Sequence, residues 1–365
     1  MNELARLLAQ RIRTAGPLTI AEFMQEALLH PRLGYYMTRD PLGARGDFIT
    51  APEVSQVFGE LVGLWCADIW DKMGRPERVV LAELGPGRGT LMADALRALK
   101  AAPDFGQAVS LNLVEASPVL RHQQAALLAA AHPSWHESIA GLPEGKLILI
   151  ANEFLDALPI RQLVRGERHW HERMVTLSAD QKSLVFALDP APSPAAALLP
   201  PQVAAAQAGS LAEIRPAATA LGAALGKRLA EQGGAALFVD YGYCPSACGD
   251  TLQALSRHRR HEVLENPGEA DLTAHVDFAA FAAAARQGGA RVWGPMPQGG
   301  FLAALGLAER AAALFARATP AQLPAIESGC RRLIDPQDMG TLFKALALTE
   351  PDLPAPAGFA EEFAA

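Results

Sequence analysis

Glycines follow a short apolar run near residue 80, in the segment Glu83–Thr90, whose sequence is ELGPGRGT. Glycine lets a backbone turn sharply and approach a ligand closely, and the first amides of a following helix would face that ligand. Dinucleotide-binding proteins prefer G-x-G-x-x-G, whose third glycine would fall on Thr90 here. An acid before G-x-G-x-G instead suits a cofactor with an amino-acid end and no pyrophosphate; the alternative is a tight turn that serves packing alone. We predict that a cofactor contacts Glu83, Gly85, Pro86, Gly87, Gly89 and Thr90.

An acidic residue also ends the next apolar run of the chain. Glu115 follows residues 109–114. In doubly wound folds an acid at this point accepts hydrogen bonds from ribose hydroxyls. Taken alone, an acid at a strand end is more often simply solvated. Because this one comes one strand–helix–strand unit after the glycine loop, we predict that Glu115 contacts a ribose and that Ala116, beside it, also contacts the cofactor.

Two acids and an amide crowd into the five residues after a third apolar run, 146–151. They are Asn152, Glu153 and Asp156. Such groups could hold a substrate nitrogen and orient its lone pair, and a carboxylate could accept a released proton. The alternative is a helix N-cap at Asn152 with an acidic first turn, and both can hold at once. We predict that all three are catalytic and that Asn152 also borders the cofactor.

Asp240 closes a later apolar run, 234–240, and is followed by Tyr241 and Tyr243. An acid and two aromatics at a strand end could line the same cleft. The alternative is a strand end followed by a turn whose tyrosines pack on the surface. We include Asp240 among the candidate catalytic residues.

The elements that must position these residues alternate from residue 79 onward. Short apolar runs that end at glycines or acids are each followed by a segment with helical spacing, which indicates βαβ units and a parallel sheet covered by helices on both faces. Residues 1–78 are instead mostly helical, and Thr19–Glu22 forms a capping box. We predict an α/β fold with a doubly wound, Rossmann-like domain at 79–365 and an N-terminal helical extension at 1–78.

One part of the chain breaks the alternation and predicts an insertion at about 161–232. Its first part, 161–188, alternates apolar and polar residues, as expected for a β-hairpin or a small antiparallel addition. Beyond it the sequence predicts an Ala/Pro-rich loop at 189–209, a helix at about 214–232 and a strand at 234–240. A polar loop up to about 270, a second helix at 271–288 and late strands near 291–293 and 343–348 follow.

Composition excludes several classes of protein. The 365 residues are half hydrophobic, and the net charge of −7 argues against nucleic acid as the main partner. No apolar stretch approaches the ~18 residues of a membrane span. Four cysteines are too few for a disulfide framework and fit a reducing compartment, and neither Cys244/Cys248 nor His258/His261 has a common zinc spacing. We expect a cytoplasmic protein without a metal site or membrane insertion.

Several motifs together resemble the MidA family of class I S-adenosylmethionine-dependent methyltransferases, which includes a mitochondrial arginine methyltransferase needed for respiratory complex I assembly. One departure is Leu155, where a second aromatic is expected. The matching segments are 46–60, 83–91, 114–118, 152–159, 240–243, 249–253, 271–278 and 298–302.

The resemblance implies a class I methyltransferase core, S-adenosyl-L-methionine as cofactor, and a lid over that cofactor at residues 46–53. In the lid, Asp47, Thr50 and Pro52 would contact the cofactor. The alternative is a helix cap at Thr50 with Pro52 in the first turn, which explains these two residues but not Asp47.

For function, the resemblance implies a protein arginine N-methyltransferase that makes symmetric dimethylarginine on a complex I core subunit. A guanidinium stays protonated in proteins, so carboxylates such as Glu153 and Asp156 would have to orient it. Two alternatives remain open: a methyltransferase for a small molecule or another protein nitrogen, and a cofactor-binding assembly chaperone with little turnover. A homodimer also remains open, and a eukaryotic relative would act in the mitochondrial matrix.

Overall fold

The computed structural model describes residues 1–38, 50–256, 258–360 and 362–363. The contacts divide the chain into two units that are interleaved along the sequence. Unit 1 consists of Met1–Phe48, Asp156–Thr219 and Tyr243–Ala280, and unit 2 of Ile49–Leu155, Ala220–Gly242 and Phe281–Ala365. These boundaries do not coincide with a division at residue 78, and the functional division predicted there stays a prediction.

The helices of the described residues are numbered in chain order. They are α1 (Glu3–Ala15), α2 (Ile20–Leu29), α3 (Tyr35–Thr38), α4 (Ala51–Val54), α5 (Gln56–Lys72), α6 (Thr90–Ala98), α7 (Pro103–Ala108), α8 (Pro118–Leu127), α9 (Pro201–Ala204), α10 (Pro216–Gln232), α11 (Phe278–Gln287), α12 (Gln298–Ala304), α13 (Leu307–Phe315), α14 (Leu323–Ile334) and α15 (Met339–Leu342).

The strands are numbered in the same way. They are β1 (Leu18–Thr19), β2 (Val79–Leu84), β3 (Val109–Val114), β4 (Ser134–His136), β5 (Leu147–Asn152), β6 (Arg161–Arg165), β7 (Trp170–Leu177), β8 (Leu184–Pro192), β9 (Leu211–Ile214), β10 (Gly234–Tyr243), β11 (Gln253–Ser256), β12 (Arg259–His261), β13 (Asp271–Thr273), β14 (Val276–Asp277), β15 (Arg291–Pro297) and β16 (Phe343–Thr349).

The sheet of unit 2 runs in the order β15-β16-β10-β5-β2-β3-β4. The pairs β10–β5, β5–β2, β2–β3 and β3–β4 are parallel, whereas β16 is antiparallel to both of its neighbours. All residues of β2 and β5 are buried, as expected for strands covered on both faces. The predicted α/β fold with a doubly wound, largely parallel sheet is therefore confirmed, with an antiparallel strand added near one edge.

Helix α5 lies unusually close to α6 because it carries glycines at the contact. A Cβ on Gly59 would come within 2.6 Å of the Asp94 Cβ, and one on Gly63 within 2.6 Å of the Ala95 carbonyl oxygen. Side chains of α5 also belong to the main apolar core of unit 2, where Trp65 is fully buried. Since α6 begins at the end of the glycine loop, this close packing helps to fix where that loop ends.

Unit 1 is built on a second sheet, in which β1, β7, β6 and β9 follow one another and β8 pairs with β7. Its pairs are antiparallel, which confirms the antiparallel addition predicted for 161–188. The helices α1 and α2 contribute to an apolar core of this unit, and Thr19 caps α2 in the predicted capping box with Glu22. A third, small sheet has the order β12-β11-β13.

Some predicted elements were wrong. The 189–209 loop contains the end of β8, a 3₁₀ helix at Pro194–Leu198 and α9; the polar loop before 270 contains β11 and β12; and β13 and β14 precede α11 in what was predicted to be one helix. Strands β11 to β14 are two to four residues long, which is too short for apolar alternation to show. The helix expected from Pro52 to Met73 is interrupted at Ser55, whose extended backbone separates α4 from α5.

No helix of the described part of the chain is long and apolar enough to cross a membrane.

We predict that Gly63→Ala destabilises the protein by about 1–3 kcal/mol, because the added Cβ meets backbone that cannot move without parting α5 from α6. Urea unfolding followed by circular dichroism measures the change. Gly106→Ala is the matched control: this helical glycine in α7 has nothing within 4 Å of its Cβ position, so the variant should gain up to ~1 kcal/mol from helix propensity. Equal stability of the two variants would contradict the close-packing argument.

Candidate functional site

Four parallel strands of unit 2 end at the same edge of the sheet. Leu84 of β2 is in register with Val114 of β3 and with Ala151 of β5, and Asn152 of β5 is in register with Val239 of β10. The next residues along these strands therefore come together at that edge. They are Gly85, Glu115, Asn152, Glu153 and Asp240, which were predicted separately from the sequence.

The glycine loop uses backbone conformations that other residues rarely adopt. Gly85, Gly87 and Gly89 have φ values of 59°, 55° and 87°. A Cβ on Gly85 would lie 2.9 Å from the ring of Phe154, so this glycine is also required for a close approach. Gly89 is the N-cap of α6 and has no side chain to cap it, which leaves the first amides of α6 for another acceptor.

Glu83, the last but one residue of β2, is 2% exposed. Its Oε2 has no hydrogen-bond partner among the described residues. Burial, and then the neighbouring Glu115 carboxylate, raise the pKa of Glu83 to about 8. A carboxyl group in this state strongly favours either a proton or an arriving cation.

Glu115 is held in place by groups that the sequence did not reveal. Its Oε1 accepts a hydrogen bond from the Ser117 amide at 2.7 Å and its Oε2 one from Gln124 Nε2 at 3.2 Å. Burial raises the pKa of Glu115, and these hydrogen bonds partly oppose that shift. The same Gln124 Nε2 donates to the Gly87 carbonyl at 2.6 Å, so one fully buried side chain links the glycine loop to the acid after β3.

The residues after β5 do not form a helix, so the alternative of an N-cap at Asn152 is wrong. Glu153 instead has a φ of 49°, which strains a residue that carries a Cβ. Its Oε1 accepts hydrogen bonds from the Ala51 amide at 3.1 Å and from Asn152 Nδ2 at 3.2 Å. Asn152 is 9% exposed, and its Oδ1 lacks a hydrogen-bond partner within the described structure.

The short helix α4 joins this edge through Glu53. The Thr90 hydroxyl donates to Glu53 Oε1 at 2.6 Å, and Arg88 Nη1 lies 3.6 Å from Oε2. Thr50 is the N-cap of α4, although its side chain makes no capping hydrogen bond, and Pro52 lies buried in the first turn. The predicted lid thus contributes Thr50, Pro52 and Glu53 to the described structure, whereas Asp47 lies outside the described residues.

The Asp240 carboxylate accepts hydrogen bonds from backbone amides. Its Oδ2 accepts from the amides of Phe154 and Leu155 at 3.1 and 2.8 Å, and its Oδ1 accepts from the Tyr241 amide at 2.9 Å. The side chain is 1% exposed. This geometry favours a positioning role, in which Asp240 shapes the loop that carries Glu153.

Asp156 belongs to unit 1 and is described there. Its carbonyl oxygen accepts from the Ala274 amide at 3.1 Å and from Arg215 Nη2 at 3.3 Å. In the same unit the Tyr36 hydroxyl donates to Asp271 Oδ1 at 2.7 Å. Burial, followed by the charges of Asp271 and Asp156, raises the pKa of Tyr36. Asp156 therefore lies in an acidic neighbourhood of its own unit.

Gln124 could have been found from the sequence. It follows Leu120 by four residues and therefore shares its helix face, so an amide at a position with core spacing was a detectable signal. Glu53 carried a weaker signal, as an acid in the first turn of a short helix.

A family model described as "Putative S-adenosyl-L-methionine-dependent methyltransferase" matches residues 61–296. The chain belongs to this MidA-like family. It is an S-adenosylmethionine-dependent methyltransferase, and the resemblance drawn from its motifs is confirmed.

Among curated proteins, the chain is 36% identical to "Protein arginine methyltransferase NDUFAF7 homolog, mitochondrial" of Drosophila melanogaster, over 95% of this chain and 85% of that one. It is 35% identical to "Protein arginine methyltransferase NDUFAF7, mitochondrial" of Homo sapiens, over 95% of this chain and 83% of that one. A Burkholderia thailandensis crystal structure bound to S-adenosyl-homocysteine is similar with a TM-score of 0.83 and 30% identity, covering 97% of this chain and 93% of that one.

The residues at the edge of the unit 2 sheet fit the parts of S-adenosylmethionine. The buried acceptors Glu83 Oε2 and Asn152 Oδ1 lack partners and could receive its ammonium group. Glu115 stands where an acid accepts from ribose hydroxyls. The glycines leave room beside the backbone, and the amides at the start of α6 can face the carboxylate of the cofactor.

We predict that Glu83→Gln stabilises the unliganded methyltransferase at pH 9 by a few kcal/mol and has little effect at pH 5. The raised pKa of Glu83 in the folded state means that its favourable contribution is complete below the usual value near 4.5 and is lost as the pH rises through about 8. Unfolding in urea at several pH values measures the difference.

The same variant should bind S-adenosyl-homocysteine at least ~10-fold more weakly, since a charge-assisted hydrogen bond becomes neutral. Glu137→Gln, on an exposed side chain of the same unit, is the control and should change neither property. An unchanged pH profile of stability in Glu83→Gln would show that this carboxyl group does not titrate between pH 5 and 9.

Proposed function

We propose that this methyltransferase transfers a methyl group to an arginine nitrogen of a protein. The observation that carries the proposal is the Glu153 carboxylate, held at a strained backbone position beside the cofactor loop. The names of the Drosophila and human relatives, which match over most of their length, support the same reaction.

Methyl transfer to arginine depends more on the orientation of the reacting atoms than on a strong acid or base. S-adenosylmethionine supplies an electrophilic methyl group on a sulfonium. The guanidinium is protonated and spreads its charge over three nitrogens, so a carboxylate that pairs with two N–H groups can direct the third nitrogen at the methyl. Alignment of the reacting atoms contributes a large part of the rate of such a one-step displacement.

In this proposal Glu153 is the residue that pairs with the guanidinium. Its Oε1 is already oriented by two N–H donors, from Ala51 and Asn152. Asp240 holds the amides of the two residues that follow Glu153 and so acts through the loop. The Glu153 carboxylate can also take the proton lost from the methylated nitrogen. Asp156, which belongs to unit 1, stays a predicted catalytic residue.

Finer features of the function belong to the same proposal. The substrate is a protein, and a core subunit of respiratory complex I is the candidate implied by the family. The product is symmetric dimethylarginine, and the reaction supports assembly of the complex. The place of action is the bacterial cytoplasm, or the mitochondrial matrix in a eukaryote. A homodimer and the absence of nucleic-acid partners remain expectations.

We predict that the purified protein, incubated with methyl-labelled cofactor and the complex I core subunits of its own organism, yields dimethylarginine detectable by mass spectrometry. Glu153→Gln should lower kcat about 100-fold, the order expected when a charge-assisted pair made to the reacting group is weakened. The amide oxygen of Gln can still accept from Ala51, so binding of S-adenosyl-homocysteine should change less than ~2-fold.

A methylated lysine, or turnover on a small molecule alone, would overturn the arginine proposal. If Glu153→Gln abolishes methylation but leaves complex I assembly intact in cells, the protein acts as an assembly chaperone.

A further inference from the structure

A groove of about 530 Å³ lies on unit 1, and none of the residues assigned above lines it. Two segments form most of its walls: Lys182–Phe186, at the start of β8, and Glu262–Asn266. Met1 and Ala5 complete the lining. All of these residues belong to unit 1.

One wall of the groove is the edge of a sheet. Among the described residues, β8 pairs with β7 and with no other strand, in a register that matches Leu184 with Leu177 and Leu188 with Arg173. An edge strand presents N–H and C=O groups that can pair with another chain. The far end of β8 is protected by Pro190 and Pro192, which cannot donate a ladder hydrogen bond. The end that borders the groove has no such protection.

The second wall is preformed. Asn2, the N-cap of α1, donates through Nδ2 to the Pro267 carbonyl at 2.9 Å and to Glu269 Oε1 at 2.9 Å, which fixes the chain just after the groove-lining segment. The Glu265 amide donates to the Glu262 carbonyl at 3.1 Å, and Asn266 has a φ of 45°. A segment that turns in this way and is tied at its end needs little ordering when a ligand arrives.

The charges of the groove indicate the kind of ligand. Glu262 and Glu265 are exposed and form no ion pair within the described structure. Lys182 also lines the groove, but it lies in the bend that precedes β8 rather than along the strand. The half-buried Val185 and Phe186 add apolar surface to the lining, and the Arg173 guanidinium, which is paired with Asp250, lies 3.8 Å from the centroid of the Phe186 ring. Two carboxylates beside apolar surface suit a segment in which basic and apolar side chains alternate.

We propose that this groove binds an extended segment of the protein substrate that carries arginine or lysine, as an additional strand on the edge of β8. The inference rests on the proposed function for the identity of the partner, because a protein arginine methyltransferase must hold the chain around its target. About five residues of such a segment, spanning roughly 17 Å, would match Leu184–Leu188. Backbone pairing would provide affinity and the carboxylates selectivity.

The test uses the full-length protein and a fluorescent peptide of four Arg-Val repeats. The double variant Glu262→Gln/Glu265→Gln should bind it about threefold to tenfold more weakly at low salt, as expected for two exposed ion pairs. Glu167→Gln is the matched control, since Glu167 is an exposed acid in the turn between β6 and β7 of the same unit. A version of the peptide methylated on every backbone nitrogen should lose binding, because neither of its edges can donate hydrogen bonds to a strand.

Equal binding of the methylated peptide, or of a Glu-Val repeat, would overturn strand pairing or charge selection. Self-association of the protein that the double variant abolishes would assign the groove to a second copy of this chain and overturn the proposal as well. With a methylated protein substrate in hand, the double variant should raise KM and leave kcat and S-adenosyl-homocysteine binding unchanged. Peptide binding does not require turnover, so failure of the arginine proposal and failure of the groove give different results.

Discussion

Glu83 is buried with no hydrogen-bond partner for its Oε2 among the described residues, and the other features of this edge of the unit 2 sheet depend on that constraint. Glu83 lies in a fully buried strand, between Leu113 of β3 and Ile150 of β5 in register. Removing a carboxylate from water costs several kcal/mol unless a proton or a cation compensates it. Without ligand a bound proton neutralises the carboxylate, as the raised pKa of Glu83 indicates. We propose that the ammonium group of S-adenosylmethionine replaces this proton, so that the buried carboxyl group selects a cofactor with a positively charged amino-acid end.

Neighbouring side chains at the same edge act mainly on the backbone. Asp240 binds three amides and so holds the loop after β5, and Gln124 ties the Gly87 carbonyl to Glu115. The side chains of Asp240 and Gln124 are at most 1% exposed. Loops at the ends of parallel strands have no ladder partners of their own, so their polar groups must be satisfied by such side chains. An acid at the end of a strand in this fold can therefore serve the loops rather than the ligand.

The sequence predicted this edge well where the signal is local. A continuous apolar run identified the ends of β2 and β3 and, to within one residue, the end of β5, because strands buried on both faces need apolar residues throughout. The start of β10 was also identified, but the strand continues three residues beyond the predicted 240. The sequence did not predict strands that form only because they pair with another strand. β12 forms although it contains Arg259 and Arg260, because it pairs with β11, which in turn pairs with β13 farther along the chain. The turn at Glu153 was likewise hidden, because an acid after an asparagine is typical of a helix start and nothing local reveals a φ of 49°.

The strain at Glu153 follows from the contacts on either side of it. Its amide donates to the Val239 carbonyl at 2.9 Å, so the strand pairing of β5 with β10 continues up to this residue. The next two amides are turned toward Asp240 instead. A residue between a strand that must stay in register and a loop that must turn sharply has few conformations left, and the left-handed one satisfies both sides. It also directs the carboxylate to the Ala51 amide of α4. Backbone geometry thus fixes the Glu153 carboxylate beside the glycine loop, at the expense of a strained left-handed conformation at this residue.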